Sequence, residues 1–379
     1  MFRVGDAIAF QSTINYMTFF KVFTVQTDTR YVGTILRFWS FCLICLFNTF
    51  HLVYVKIENI DVDTSEDLVV ILGGMGILLI CIFSASSSRR WTSFLHNLID
   101  FEKYGKPDGI EHAIERGNYW AHFFGLYYII GTVIYGIVTY MEAPSCHRLN
   151  NEKNLHLICD TFVAIWLPFD IPLKSIRLSV FFIQFVLITC NVNPAAMACF
   201  LTWECTEILR CHLRHLKKHF HKMVKEGDVR KRPDGIGYWI RYHNHILSLS
   251  YELKSLFKIS VGHTSLISGL VIGCTENQIL KSKPLGASLF FLGWMAAMML
   301  LCHAGEILME ETLSVADTLR DSQWYLADLE TRRDMVFIML RSQKPVHLEA
   351  MPLGVMNYAL FVMILRTSYS FMTLLNQSS

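Results

Sequence analysis

A chain of 379 residues that is 53% hydrophobic and only 17% charged, with a mean hydropathy of +0.35, is too apolar for an ordinary soluble domain, where about a quarter of residues are charged. Its net charge of +2 supplies no basic field for nucleic acid, and no nucleic-acid partner is expected. No Gly/Ser linker, low-complexity tract or internal repeat divides it, so one integral membrane domain is expected.

A spanning helix needs roughly 20 mostly apolar residues. Residues 1–20 mix polar and apolar groups and lack the apolar core of a secretory signal. Seven segments then read as spans: 38–55; 68–84, which has no charge; 121–140; 178–203, also uncharged but interrupted by Asn191, Asn193 and Pro194; 259–275, the least apolar; 285–301; and 353–375, which contains Arg366.

Basic residues collect on alternate connections. One side holds Arg89, Arg90, Lys103 and Lys106, then Arg210, Arg214, Lys217, Lys218 and Lys222, then Arg332 and Arg333. The other side opens with the acidic run Glu58, Asp61, Asp63, Glu66 and Asp67. The positive-inside rule then predicts a cytoplasmic N-terminus and, with seven spans, an extracellular C-terminus.

Residues 204–256 and 303–345 read as cytoplasmic helices. Leu209, Leu213, Leu216 and Phe220 recur at helical spacing in the first, and Leu308, Leu313, Val315 and Leu319, then Tyr325, Leu326, Leu329, Met335, Phe337, Ile338 and Leu340 in the second. Apolar faces outside the membrane must be covered, so these helices are expected to pack on each other or on neighbouring subunits as an anchor. His212, His215 and His219 share a face there. A solvated basic surface near anionic lipid explains them better than a metal site, and no metal is expected. Cys146 and Cys159 share an outer loop, where oxidation permits a bridge. No phosphate loop or hydrolase motif occurs, so no enzyme and no cofactor are expected. Glu306, Glu310 and Glu311 are expected to pair with the basic helices.

In residues 365–379, Arg366, Tyr369, Ser370, Thr373 and Gln377 fall on one helical face, opposite Leu365, Phe371, Met372, Leu374 and Leu375. In a membrane such a face must meet protein or water. By themselves, such groups bond between helices more often than they line a pore.

Three stretches resemble the insect odorant receptor family. They are Trp166-Leu167-Pro168-Phe169-Asp170 with Pro172; Gln323-Trp324-Tyr325, followed by Arg332-Arg333 and the run from Ile338 to Pro345; and Ile364-Leu365-Arg366-Thr367-Ser368-Tyr369-Ser370 with Phe371 and Thr373-Leu374-Leu375. The related gustatory receptors, the alternative reading, end on a Thr-Tyr-apolar-Gln pattern. Ser368-Tyr369 and the displaced Gln377 depart from it. A metabotropic seven-span receptor or a transporter lacks its hallmarks here. Glu115-Arg116-Gly117 precedes the third span and has no Tyr, and no repeated halves are visible.

The resemblance implies an odorant-gated, non-selective cation channel in the plasma membrane. A ligand-tuned subunit would form a heterotetramer with co-receptor subunits, and the co-receptor itself carries a longer segment between spans four and five. The partners are then the co-receptor, a small volatile odorant, membrane lipid and permeating cations. The last helix would line the pore with Tyr369, Ser370, Thr373, Leu374, Asn376 and Gln377. The odorant would sit among the outer halves of spans two to six. Met75, Tyr128, Thr132, Tyr135, Phe181, Gln184, Phe185, Ser268 and Phe290 suit an apolar pocket with a few hydrogen-bonding groups.

Overall fold

A computed structural model describes residues 2–5, 7–22, 31–58, 60, 64–153, 157–169, 173–226, 235–281 and 284–377. Asp61, Asp63, Asp170 and Pro172, singled out above, lie outside them.

The chain is a helical bundle. A short hairpin, β1 (Arg3–Val4) and β2 (Ala7–Ile8), precedes α1 (Gln11–Phe19). Then come α2 (Tyr31–Ile57), α3 (Ser65–Ser86), α4 (Ser88–Leu98), α5 (Ile110–Lys153) and α6 (Lys174–Glu226). They are followed by α7 (Ile236–Ser260), α8 (Thr264–Lys281), α9 (Pro284–Arg320), a 3-10 turn at Trp324–Leu326 and α10 (Leu329–Ser342). A second hairpin, β3 (Glu349–Ala350) with β4 (Gly354–Val355), leads into α11 (Tyr358–Gln377).

Among the described residues, α2, α3, α5, α6, α9 and α11 are long and apolar enough to cross a membrane. The pair α7–α8, bent by 49°, makes a seventh span if counted as one. At 1.5 Å per residue, the 53 residues of α6 extend to roughly 80 Å, far beyond a hydrocarbon core of about 30 Å. The expected fourth span and the start of the expected anchor are therefore one rod, because no breaker separates residues 203 and 204. The sixth span and the residues after it merge in α9 for the same reason.

The fifth span differs from its expected bounds of 259–275. Ile259 lies in the last turn of α7, which ends at Ser260, and α8 starts at Thr264. The bend lies at Gly262, where a Cβ would come 2.6 Å from the Glu349 carbonyl. The Met351 N–H donates to the Gly262 carbonyl at 3.0 Å. Hydropathy sees only an apolar run there; the approach of the β3–β4 hairpin sets the break. The same hairpin delays α11 to Tyr358 instead of the expected 353. α8 owes its weak hydropathy to Ser265, Ser268, Thr275, Asn277 and Gln278, all buried between α3, α9 and α11. Hydrocarbon never meets those groups, so the membrane does not penalise them.

The connections α2–α3, α5–α6 and α8–α9 lie at one end of the bundle. Cys146 and Cys159 form a disulfide there, with Cα atoms 5.8 Å apart. At the opposite, anchor end sits the main core. Leu209, Leu213, Leu216 and Phe220 of α6 are all 0% exposed, as are Trp239 and Leu253 of α7, Val315 and Leu319 of α9, and Met335 of α10. The histidine face is not the solvated surface expected from the sequence. His212 is buried, with Nδ1 2.9 Å from the Tyr242 hydroxyl and Nε2 2.9 Å from the Leu98 carbonyl, while His215 and His219 pack on Tyr242 and Tyr238. An amphipathic pattern alone does not reveal that α7 folds back over this face. Glu311 draws α9 onto α6 through Arg210 at 3.0 Å, Arg214 at 3.2 Å and Lys217 at 2.7 Å.

Candidate functional site

A cavity of about 170 Å³ opens between α2, α3, α5, α6, α8 and α9. Small residues leave this room. Gly73 and Gly74 of α3, Gly131 of α5, Ala195 and Ala196 of α6, and Gly286 and Gly293 of α9 all border it. Larger apolar groups close the walls: Phe41, Val69, Ile77, Ile188, Val192, Phe290, Trp294 and Met298. Pro194 falls at this level of α6, between Val192 and Ala195.

Four of the residues expected to bind ligand border the cavity: Tyr128, Thr132, Tyr135 and Phe290. Their polar atoms are already engaged. The Tyr128 hydroxyl donates to the Gly293 carbonyl at 2.8 Å, and the neighbouring Tyr127 hydroxyl to the Leu289 carbonyl at 2.7 Å. These bonds stitch α5 to α9 and leave the two tyrosines to offer the cavity their apolar rings. The Thr132 hydroxyl donates to the Tyr128 carbonyl, and the Tyr135 hydroxyl to the Glu66 carboxylate.

Phe181, Gln184 and Phe185 stand one layer back. Gln184 Oε1 accepts from the Phe162 and Val163 N–H groups at 2.8 and 3.2 Å, and Phe181 and Phe185 pack on the Phe162 ring. It is Phe162 and Val163, from the loop between α5 and α6, that reach the cavity. Met75 and Ser268 do not border it. Met75 turns outward, 51% exposed, and the fully buried Ser268 donates to the Thr264 carbonyl within α8. Both sit on helices that contribute to the cavity, but on other faces.

The loop that closes the disulfide end carries the Trp166 motif. Trp166 stacks on Tyr54 of α2 at 5.4 Å, and its backbone N–H donates to the Phe47 carbonyl. Asn48 Nδ2 donates to the Ala164 carbonyl at 2.9 Å and to the buried Asp67 at 2.7 Å, and His51 lies 3.0 Å from the same carboxylate. Asp160 pairs with Arg177 at 3.0 Å. Sequence reading took Asp67 and Glu66 as loop acids. Their places in the first turn of α3, facing α2 and α5, emerge only from packing.

α11 presents two faces. Leu360, Ile364 and Ser368 are buried against α8. Gly269 and Gly273 make this approach possible: a Cβ at Gly273 would lie 2.7 Å from the Ser368 carbonyl. The opposite face, exposed in the single chain, carries Arg366, Tyr369, Ser370, Leu374, Asn376 and Gln377, with Thr373 half-buried at its edge. The Ser370 and Thr373 hydroxyls donate to carbonyls of their own helix, which leaves oxygen lone pairs available outward. Arg366 has no ion pair among the described residues.

The chain is thus a multi-span helical bundle that encloses an apolar cavity and ends in a helix with one polar face. The family described as 7tm Odorant receptor matches residues 62–369. The chain belongs to this odorant receptor family and is a multi-pass membrane protein. It is 29% identical to Odorant receptor 82a of Drosophila melanogaster over 303 residues, covering 77% of this chain and 73% of that one. It is 26% identical to Odorant receptor 85b of the same species over 182 residues, covering 45% and 47%. The fold matches the insect olfactory receptor OR5 of Machilis hrabei in complex with eugenol, with a TM-score of 0.72 at 15% identity over 97% of this chain and 100% of that one.

Proposed function

We propose that this chain is the odorant-binding subunit of a heteromeric, odorant-gated, non-selective cation channel. The N-terminus and anchor lie in the cytoplasm and the disulfide end lies outside. The subunit assembles with odorant co-receptor subunits, and α11 lines a shared pore.

One observation carries the reading. A single apolar cluster runs from the cavity to the terminal helix. Val69, Phe290 and Trp294 border the cavity; Val271 and Cys274 of α8 are buried against them; and Phe371 and Leu375 of α11 pack on the same cluster. A ligand that fits better when α8 and α11 have shifted favours that state by its difference in affinity. The outward polar face of α11 supplies oxygens that partly replace a cation's hydration. Exposed Tyr325, Leu326, Leu329, Phe337 and Leu340 on and before α10 supply an apolar surface for neighbouring subunits.

Whole-cell current from cells expressing this chain with and without the co-receptor, against a panel of volatiles, tests it. Current only with both chains, reversing near zero voltage, is expected. Current from this chain alone would remove the heteromer, and current lost on uncoupling G proteins would remove the channel.

A further inference from the structure

Two residues that border the cavity carry buried N–H groups with no partner among the described residues. Among the polar groups bordering it, the tyrosine and threonine hydroxyls all have partners. Two N–H groups do not. Gln278 Nε2, on a side chain only 5% exposed, and the indole Nε1 of Trp294 are buried without any partner among the described residues, and both residues border the cavity. A buried donor without an acceptor is costly, and that cost is relieved when an acceptor arrives. The indole nitrogen can only donate.

We propose that the cavity selects volatiles carrying an oxygen acceptor (a carbonyl, ester or ether) over hydrocarbons of the same shape, with Gln278 and Trp294 as the donors. This rests on the reading of the cavity as the odorant site. Gln278 stands in the last turn of α8 at the disulfide end, and Trp294 stands ten residues into α9 from the same end. At 1.5 Å per residue the two donors differ in depth by roughly 10 Å. One oxygen therefore meets one donor, and the position of the oxygen along the molecule decides which. The surrounding rings and aliphatic groups contribute affinity with little direction, so the donors carry the discrimination between isosteres.

The test uses the full chain with its co-receptor and two isosteric pairs: acetophenone against α-methylstyrene, and anisole against ethylbenzene. The oxygenated member of at least one pair is expected to act at about tenfold lower concentration. Trp294→Phe and Gln278→Met remove each donor while keeping an apolar group of similar reach. In at least one of them the ratio should fall towards one while the hydrocarbon response persists, which also reports a folded receptor. Two variants are used so that loss of one to misfolding leaves the other to decide. Equal potency within both pairs in the wild type, or an unchanged ratio in every variant that still responds to hydrocarbon, overturns the proposal and leaves the odorant reading standing. No current to any of the four compounds or to a broader panel overturns the odorant reading itself.

Discussion

The anchor end and the cavity region of the same helices are built on opposite principles. At the anchor end α6, α7, α9 and α10 meet through fully buried Leu, Phe, Trp and Val, as a soluble protein does, because water surrounds them and apolar burial drives packing. Around the cavity, the same α6 and α9 carry Gly and Ala and leave a void, and their outward faces stay apolar and exposed. Lipid is as apolar as leucine, so packing there gains little from burial and rests on close backbone approach and specific polar bonds. The anchor thus has the character of a fixed frame, and the cavity half that of a part able to take a ligand and move.

The largest break in this contrast should come from the anchor. Trp239 is fully buried and its indole N–H donates to the Leu216 carbonyl at 3.0 Å. Trp239→Ala should cost about 3–5 kcal/mol and lower the melting temperature of the purified protein markedly. A melting curve that does not move would mean that the anchor is not the frame.

At the seam between the halves, Gly273→Ala drives a Cβ against the backbone of α11. Overpacking of this kind costs about 1–3 kcal/mol. Odorant-evoked current should fall steeply while surface labelling stays near the wild-type level. Unchanged current would uncouple α8 from gating.

Within the cavity half the effects should be smaller and confined to the ligand. Tyr135→Ala should shift the half-maximal odorant concentration about tenfold, a difference of about 1.4 kcal/mol. Phe185→Ala, one layer back against Phe162, should shift it less. Equal shifts would place Phe185 among the contacts and redraw the wall.

The smallest effect concerns the hairpin that bridges the two regions. Lys258 and Lys254, at 2.8 and 2.9 Å, hold the Glu349 carboxyl down to about 2 from its usual 4.5. A lowered folded value means that the contribution is complete above about pH 4.5 and is lost as pH falls towards 2. Because water reaches the cluster, it should amount to no more than about 1 kcal/mol. Glu349→Gln should therefore flatten the acid limb of a stability–pH curve slightly, and an identical curve would show that the pair contributes nothing.

Much of this was legible beforehand. The uncharged runs at 68–84 and 178–203 fell inside α3 and α6, and the leucine spacing from Leu209 to Phe220 marked the buried anchor face. Tyr128, Thr132 and Tyr135 sat on one helical face, and that face does border the cavity. Met75 and Ser268 showed no such constraint, because a lone side chain on a buried helix has several neighbours to face. Glu66, Tyr127, Phe162, Gln278 and Trp294 were not picked out as cavity residues. Each reaches the cavity through a helix end, a loop or a neighbouring turn whose placement depends on other elements.

The sequence by itself determined the class, and its three motif stretches carried the resemblance to the family. The class follows from local composition, because a bilayer about 30 Å thick converts apolar run length directly into helix length. Only the tertiary structure decided where α7 bends into α8, how the histidine face is covered, which partners the tyrosine hydroxyls take and where the cavity lies. Each of these depends on contacts between residues far apart in the chain, and no local pattern encodes which partner a side chain will meet.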